Sequence, residues 1–176
     1  MKVDRGSGKI FLIGFMGSGK CTIGKKLAKL LGYQFIDLDK LIELESGLSI
    51  ATYLEMHGEA AFRELEHKLL KSTSDTDKLV VATGGGTPCY FDNMSWMNNN
   101  GVTIYLSLTV SALVNRLKNA KVERPLIKNI TDENSLASFI TQMLSERVPF
   151  YEKANFMVSG KDLTPEKLVQ YLELAF

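Results

Sequence analysis

Gly14-Phe15-Met16-Gly17-Ser18-Gly19-Lys20-Cys21-Thr22 has the residue types and spacing that hold phosphate. Glycines let backbone N–H groups turn inward and approach phosphate oxygens. A helix opening at the lysine adds its positive dipole end. Lys20 is long enough to reach β- and γ-phosphates. The competing reading is a purely structural strand-to-helix turn, and three glycines with a lysine in that setting outweigh it. The pattern breaks at one place. Ser or Thr normally follows the lysine to ligate Mg²⁺, and here the residue is Cys21. A thiol is soft and Mg²⁺ prefers hard oxygens, so Cys21 is expected to ligate poorly, with water filling the gap. Its place at a helix N-terminus beside Lys20 predicts a lowered thiol pKa and a reactive sulfur that bound nucleotide would protect.

Asp37-Leu38-Asp39 offers one carboxylate for a metal shell and one to orient a hydroxyl, although acidic residues also cap helices. Arg63 lies among acids in Gly58-Glu59-Ala60-Ala61-Phe62-Arg63-Glu64-Leu65-Glu66, where plain surface ion pairing is the alternative. Gly84-Gly85-Gly86 is either a flexible turn or a place where a substrate lies against backbone. Arg124-Pro125-Leu126 falls in a polar, basic segment without periodicity. Arg147-Val148-Pro149-Phe150-Tyr151 ends a helix, where a cation is favourable in any case. None of these motifs decides anything alone.

The elements that must position these residues follow from periodicity. Ile10 to Ile13, Phe35-Ile36, Leu79 to Ala82, Val102 to Leu106 and Phe156 to Val158 read as five short strands. Ile23, Leu27, Leu30 and Leu31 make a helical stripe that Gly32 stops. Helices are also predicted over Leu38 to Glu45, over Ser49 to Leu70 with a break near Gly58, and from Val110 to Leu117. Asp132 caps a further helix, and Thr164-Pro165 starts the last one. Lys118 to Asn129 is expected to be a mobile loop. Strands alternating with helices predict a parallel sheet flanked by helices, with ligands at the strands' carboxyl ends. The motifs at Gly14, Asp37 and Gly84 all lie just after strands.

The 176 residues bound the chain to one domain. Lys+Arg total 21 against 20 Asp+Glu, a net charge of +1, which argues against a broad grip on nucleic acid. No apolar run reaches a membrane span, and nothing near the N-terminus reads as a signal peptide. Two cysteines make neither a disulfide framework nor a zinc site, and they fit a reducing, cytoplasmic setting. The cations are uneven, 16 Lys against 5 Arg. Four of those arginines, Arg63, Arg116, Arg124 and Arg147, fall in or near the motifs above.

Taken together and in order, these motifs resemble the shikimate kinase family, from Ile10 to about Gly160. The resemblance implies an α/β, three-layer P-loop domain of the nucleoside monophosphate kinase type, with a five-stranded parallel sheet. In it the phosphate loop would span 14–22, the acceptor-binding region about 37–67 and the lid about 118–130. It implies transfer of the γ-phosphoryl group of ATP to the 3-hydroxyl of shikimate, with Mg²⁺. Gly17, Ser18, Gly19, Lys20, Cys21 and Thr22 would form the ATP phosphate site. Asp37 would serve the metal, with Cys21 in the usual second ligand position. Asp39 would bind the acceptor's hydroxyls. Arg63 and Arg147 would hold its carboxylate, and Gly85 would offer a backbone N–H. Arg124 would reach the phosphates from the lid, and Arg116 would lie against adenine. Lys20, Asp39 and Arg124 would be the catalytic set. A monomer is expected, with no nucleic acid or membrane partner. The alternatives are a related small-metabolite kinase, such as a gluconate kinase, and a non-catalytic nucleotide-binding module.

Overall fold

The computed structural model describes residues 8–120, 125–160 and 163–173. Its strands are β1 (Ile10–Ile13), β2 (Gln34–Asp37), β3 (Leu79–Ala82), β4 (Val102–Ser107) and β5 (Phe156–Ser159). Its helices are α1 (Lys20–Leu31), α2 (Leu38–Ser46), α3 (Ile50–Lys71), α4 (Asn93–Asn100), α5 (Val110–Lys118), α6 (Glu133–Tyr151) and α7 (Pro165–Glu173). The strands form one parallel sheet in the order β2-β3-β1-β4-β5. Loops at the carboxyl ends of the adjacent strands β1 and β3 therefore lie side by side, at the usual ligand position in open parallel sheets.

Alternation along β1 sorts the core into two layers. Phe11 and Ile13 face a cluster with Leu38, Ile42, Phe62, Met94 and Tyr151, so α2, α3, α4 and α6 cover that side. Ile10 and Leu12 face Ile23, Leu27, Leu168 and Leu172, so α1 and α7 cover the other. A third cluster joins Phe15 of the phosphate loop to Leu113, Val114 and Leu117 of α5 and to Leu136 and Ile140 of α6. That cluster ties the loop to the rest of the molecule.

The expected caps are present. Asp132 accepts from the Ser135 N–H at 2.8 Å, and Thr164 accepts from the Lys167 N–H at 3.2 Å. Gly32 ends α1 in the left-handed conformation. Gly58 breaks α3 at φ 80°, ψ 171°, a conformation that favours glycine and re-aims the helix before Glu59.

The segment expected to be an unpatterned loop is more ordered at its end. Pro125–Ile127 forms a 3₁₀ turn, and Ile127 and Ile130 pack against the third cluster. Their spacing puts two apolar side chains on one side of a tight turn, a pattern too short to show as periodicity. Arg124 lies outside the described residues. Among the described residues, no helix is long and apolar enough to cross a membrane.

Candidate active site

The phosphate loop is wound by three glycines at positive φ, Gly14 (142°), Gly17 (80°) and Gly19 (98°). At Gly14 a Cβ would also meet the Leu106 carbonyl oxygen at 2.7 Å. Lys20 is 7% exposed, and its Nζ donates to the carbonyls of Gly14 at 2.7 Å and Phe15 at 2.9 Å. The lysine is thus folded over the loop it would serve, and a phosphate must draw it off those carbonyls. Ser18 is fully buried, and its N–H donates to Phe15 O at 3.2 Å. Thr22 and Cys21 are exposed at the start of α1.

Arg116, in the last turn of α5, donates to the carbonyls of Ser18 at 3.0 Å and Gly17 at 3.3 Å. It therefore braces the loop as well as lining an open depression of about 500 Å³ with Gly19, Thr22, Lys26, Leu163 and Pro165. That depression lies beside the loop, where the base of a nucleotide would follow its phosphates.

Cys21 departs from expectation. Its thiol donates to Asp37 Oδ2 at 3.0 Å. The residue is exposed overall, yet its sulfur sits against Asp37 and is partly desolvated; that desolvation first, then the hydrogen bond and the Asp37 charge, push its pKa up to about 12, and the nearby Lys20 is too weak to reverse this. The expected low-pKa, reactive thiol is corrected accordingly. Desolvation and a carboxylate in contact both favour the neutral thiol, and together they outweigh the helix N-terminus and Lys20, which favour the thiolate. Asp37 both ends β2 and caps α2, its Oδ1 accepting from the Lys40 N–H at 3.4 Å. The cap reading and the site reading of this residue hold together. Among the described residues, no three His, Cys, Asp or Glu side chains cluster as a metal cage.

The other wall is built around the triple glycine after β3. A Cβ on Gly84 would lie 2.7 Å from Glu66 Oε1 and 3.0 Å from Asp39 Oδ1. On Gly85 it would lie 3.1 Å from Arg147 Nη1 and 3.4 Å from the Met16 backbone nitrogen. On Gly86 it would lie 2.6 Å from Arg63 Nη2. Three consecutive residues without side chains thus let Asp39, Arg63 and Arg147 converge on one stretch of backbone. The middle one also touches the phosphate loop. Arg147 is 8% exposed, with its guanidinium 5.7 Å from the Phe15 ring centroid. Arg63 pairs with the buried Glu66 at 2.9 Å and stacks over Tyr90 at 4.2 Å and Phe62 at 5.0 Å. Burial opposes its charge, but Glu66, Tyr90 and Glu59 outweigh burial and raise its pKa.

A family profile described as shikimate kinase matches residues 16–175. The chain belongs to the shikimate kinase family. A shikimate kinase from Phocaeicola vulgatus is 43% identical over 162 residues, 92% of each chain. The crystal structure of shikimate kinase from Bacteroides thetaiotaomicron aligns at TM-score 0.87 and 37% identity, covering 94% of this chain and 97% of that one. Shikimate kinase from Acinetobacter baumannii, solved in complex with shikimate, aligns at 0.86 and 31%, covering 96% and 94%.

Within this shikimate kinase fold, several supporting residues carry no advance signal as site residues. Glu66 sits in the arginine's motif but reads as one more surface acid, yet it is fully buried and also accepts from Thr87 Oγ1 at 2.5 Å. Tyr151 donates to the Gly85 carbonyl at 2.6 Å, which pins the triple glycine to the end of α6. Tyr90 and Glu59 meet at 2.9 Å beside Arg63. The i, i+3 spacing of Arg63 and Glu66 is the one local clue, since it puts both on one helix face.

Proposed function

We propose that the protein transfers the γ-phosphoryl group of ATP to the 3-hydroxyl of shikimate, giving shikimate 3-phosphate and ADP, a step of chorismate and aromatic amino acid biosynthesis. The observation that carries this is Gly85. A Cβ there would lie 3.1 Å from Arg147 Nη1 and 3.4 Å from the Met16 backbone nitrogen, so the arginine proposed for the acceptor and the phosphate loop come together at one residue. Family membership supports the same reading over that of a gluconate kinase.

Roles follow from chemistry. Planar guanidinium forks match a carboxylate bidentately, so Arg63 and Arg147 would hold the shikimate carboxylate. The Gly85 N–H would add a hydrogen bond to the ring. Asp39 would orient the 3-hydroxyl and accept its proton late in transfer. Phosphoryl transfer passes through a loose transition state, so positioning and charge neutralisation dominate. Lys20 would supply positive charge once drawn onto the phosphates, with the N–H groups of Gly17, Ser18, Gly19, Cys21 and Thr22 around them. Arg124 would add charge from the lid. Arg116 would flank the adenine while bracing the loop.

Mg²⁺ would neutralise charge on the β- and γ-phosphates when bound. The donor set fits it on one side only. Asp37 offers hard oxygens, whereas Cys21 stays protonated and donates to Asp37. Asp37, water and the nucleotide would hold the ion, and Cys21 would act through Asp37. We propose further that it acts as a monomer in the cytoplasm.

ADP release measured with shikimate, with gluconate and with no acceptor tests the proposal. Turnover with shikimate alone is expected. Equal turnover with gluconate, or ATP binding without transfer, would overturn it.

A further inference from the structure

Arg63 has more partners than a waiting binding residue needs. Glu66 takes its Nη1 at 2.9 Å, and both ring contacts hold its plane. The remaining Nε–Nη2 edge is the one on which a planar carboxylate docks bidentately. Glu59 occupies that edge now. A single oxygen, Oε1, accepts from Nε at 3.4 Å and Nη2 at 3.3 Å, and also from the Tyr90 hydroxyl at 2.9 Å. The two arginine contacts are long and share one acceptor, and the Glu59 side chain is 61% exposed. Glu66, by contrast, is buried and close.

Glu59 contributes little to holding Arg63, but its charge sits where an acceptor's charge must come. Its carboxyl is held below the usual range, first by the Tyr90 hydroxyl, then by Arg63, and from further off by Arg147. Both arginines assigned to the acceptor carboxylate thus already act on this one.

We propose that Glu59 is a placeholder for the acceptor's carboxylate, occupying the Nε–Nη2 edge of Arg63 in the empty site and giving it up on binding. The inference rests on the shikimate kinase reading above. Tyr90 keeps hold of the displaced oxygen, so the glutamate is not left without a partner. The arginine stays oriented and neutralised between turnovers. The acceptor pays for the exchange in affinity, and the product, carrying the same carboxylate, leaves more readily.

Isothermal titration with shikimate and with its uncharged methyl ester tests this on the wild type, Glu59→Gln and Glu59→Ala. An exposed ion pair of this kind is worth little, so both variants should bind shikimate about 2- to 5-fold tighter than wild type. The gain should be larger for shikimate than for the ester, because the competition is between charges. Weaker or unchanged shikimate binding in Glu59→Gln would overturn the placeholder and leave Glu59 an aid to Arg63. An equal gain for ester and acid would overturn it as well. Wild-type protein that binds ATP but not shikimate would instead sink the functional reading, so the two failures are distinguishable.

Discussion

The two walls of the cleft are built by opposite means. The phosphate wall is backbone from one contiguous run, turned by Gly14, Gly17 and Gly19 and braced by Arg116. The wall we propose for the acceptor is side chains from three helices, α2, α3 and α6, which meet over Gly84, Gly85 and Gly86. A wall made of N–H groups is indifferent to many side-chain changes, and so it accommodates Cys21. A wall made of paired charges is not, because each member is held by another. Arg63 depends on Glu66, Glu66 on Thr87, and Gly85 on Tyr151.

Substitutions that should hit one wall and spare the other test that contrast. The largest effect is expected at Asp39. Asp39→Asn should lower kcat by about 100- to 10,000-fold, the range for an acid–base group. Titration with a non-hydrolysable ATP analogue should show nucleotide binding intact, and a parallel loss there would break the separation of the walls. Arg147→Ala should raise the KM for shikimate by about 30- to 1,000-fold, as for truncating one member of a buried charge pair. Arg147→Lys should not restore it, because an ammonium cannot match a carboxylate bidentately.

How far this was readable beforehand differs between the walls for a physical reason. The donor wall is local, so nine adjacent letters place it, and one exchange at Cys21 does not hide it. The acceptor wall needs residues from 39 to 147, and each of its motifs has an ordinary surface reading. Only their order together carried it. What stayed hidden is what burial decides. Glu66 looks like a helix-surface acid until the fold removes it from water. The Cys21 thiol departs from what its local helix position predicts, because its desolvation and the Asp37 carboxylate 16 residues away are both products of the fold. Arg116 reads as a base contact, but its bonds to the loop cross 98 residues. The five strands, the Gly32 stop and the caps at Asp132 and Thr164 were legible, since they rest on neighbours in sequence, whereas the caps at Ser49 and Thr109 went unread.

Smaller effects sharpen the contrast. Gly86→Ala puts a methyl within 2.6 to 2.9 Å of the Arg63 guanidinium, with no strain in φ. Displacing that arginine should raise the KM for shikimate by about 5- to 100-fold, the cost of overpacking, with the KM for ATP unchanged. Cys21→Ser should act least. A hydroxyl is a harder ligand, so half-maximal rate should need about 2- to 5-fold less Mg²⁺. The wild-type thiol, with its pKa near 12, should alkylate slowly at neutral pH and accelerate only as pH climbs toward that value. Fast labelling at pH 7 would show that Asp37 does not control it.

The central claim is that the cleft delivers the γ-phosphoryl group to one hydroxyl of a carboxylate-bearing ring. Phosphorus-31 NMR of a reaction containing ATP, Mg²⁺ and shikimate reads this directly, through coupling of the new phosphate ester to a ring proton. A single ester coupled to the proton on carbon 3, growing in step with ADP, is the predicted result. An ester on another carbon, or inorganic phosphate alone, would contradict the account.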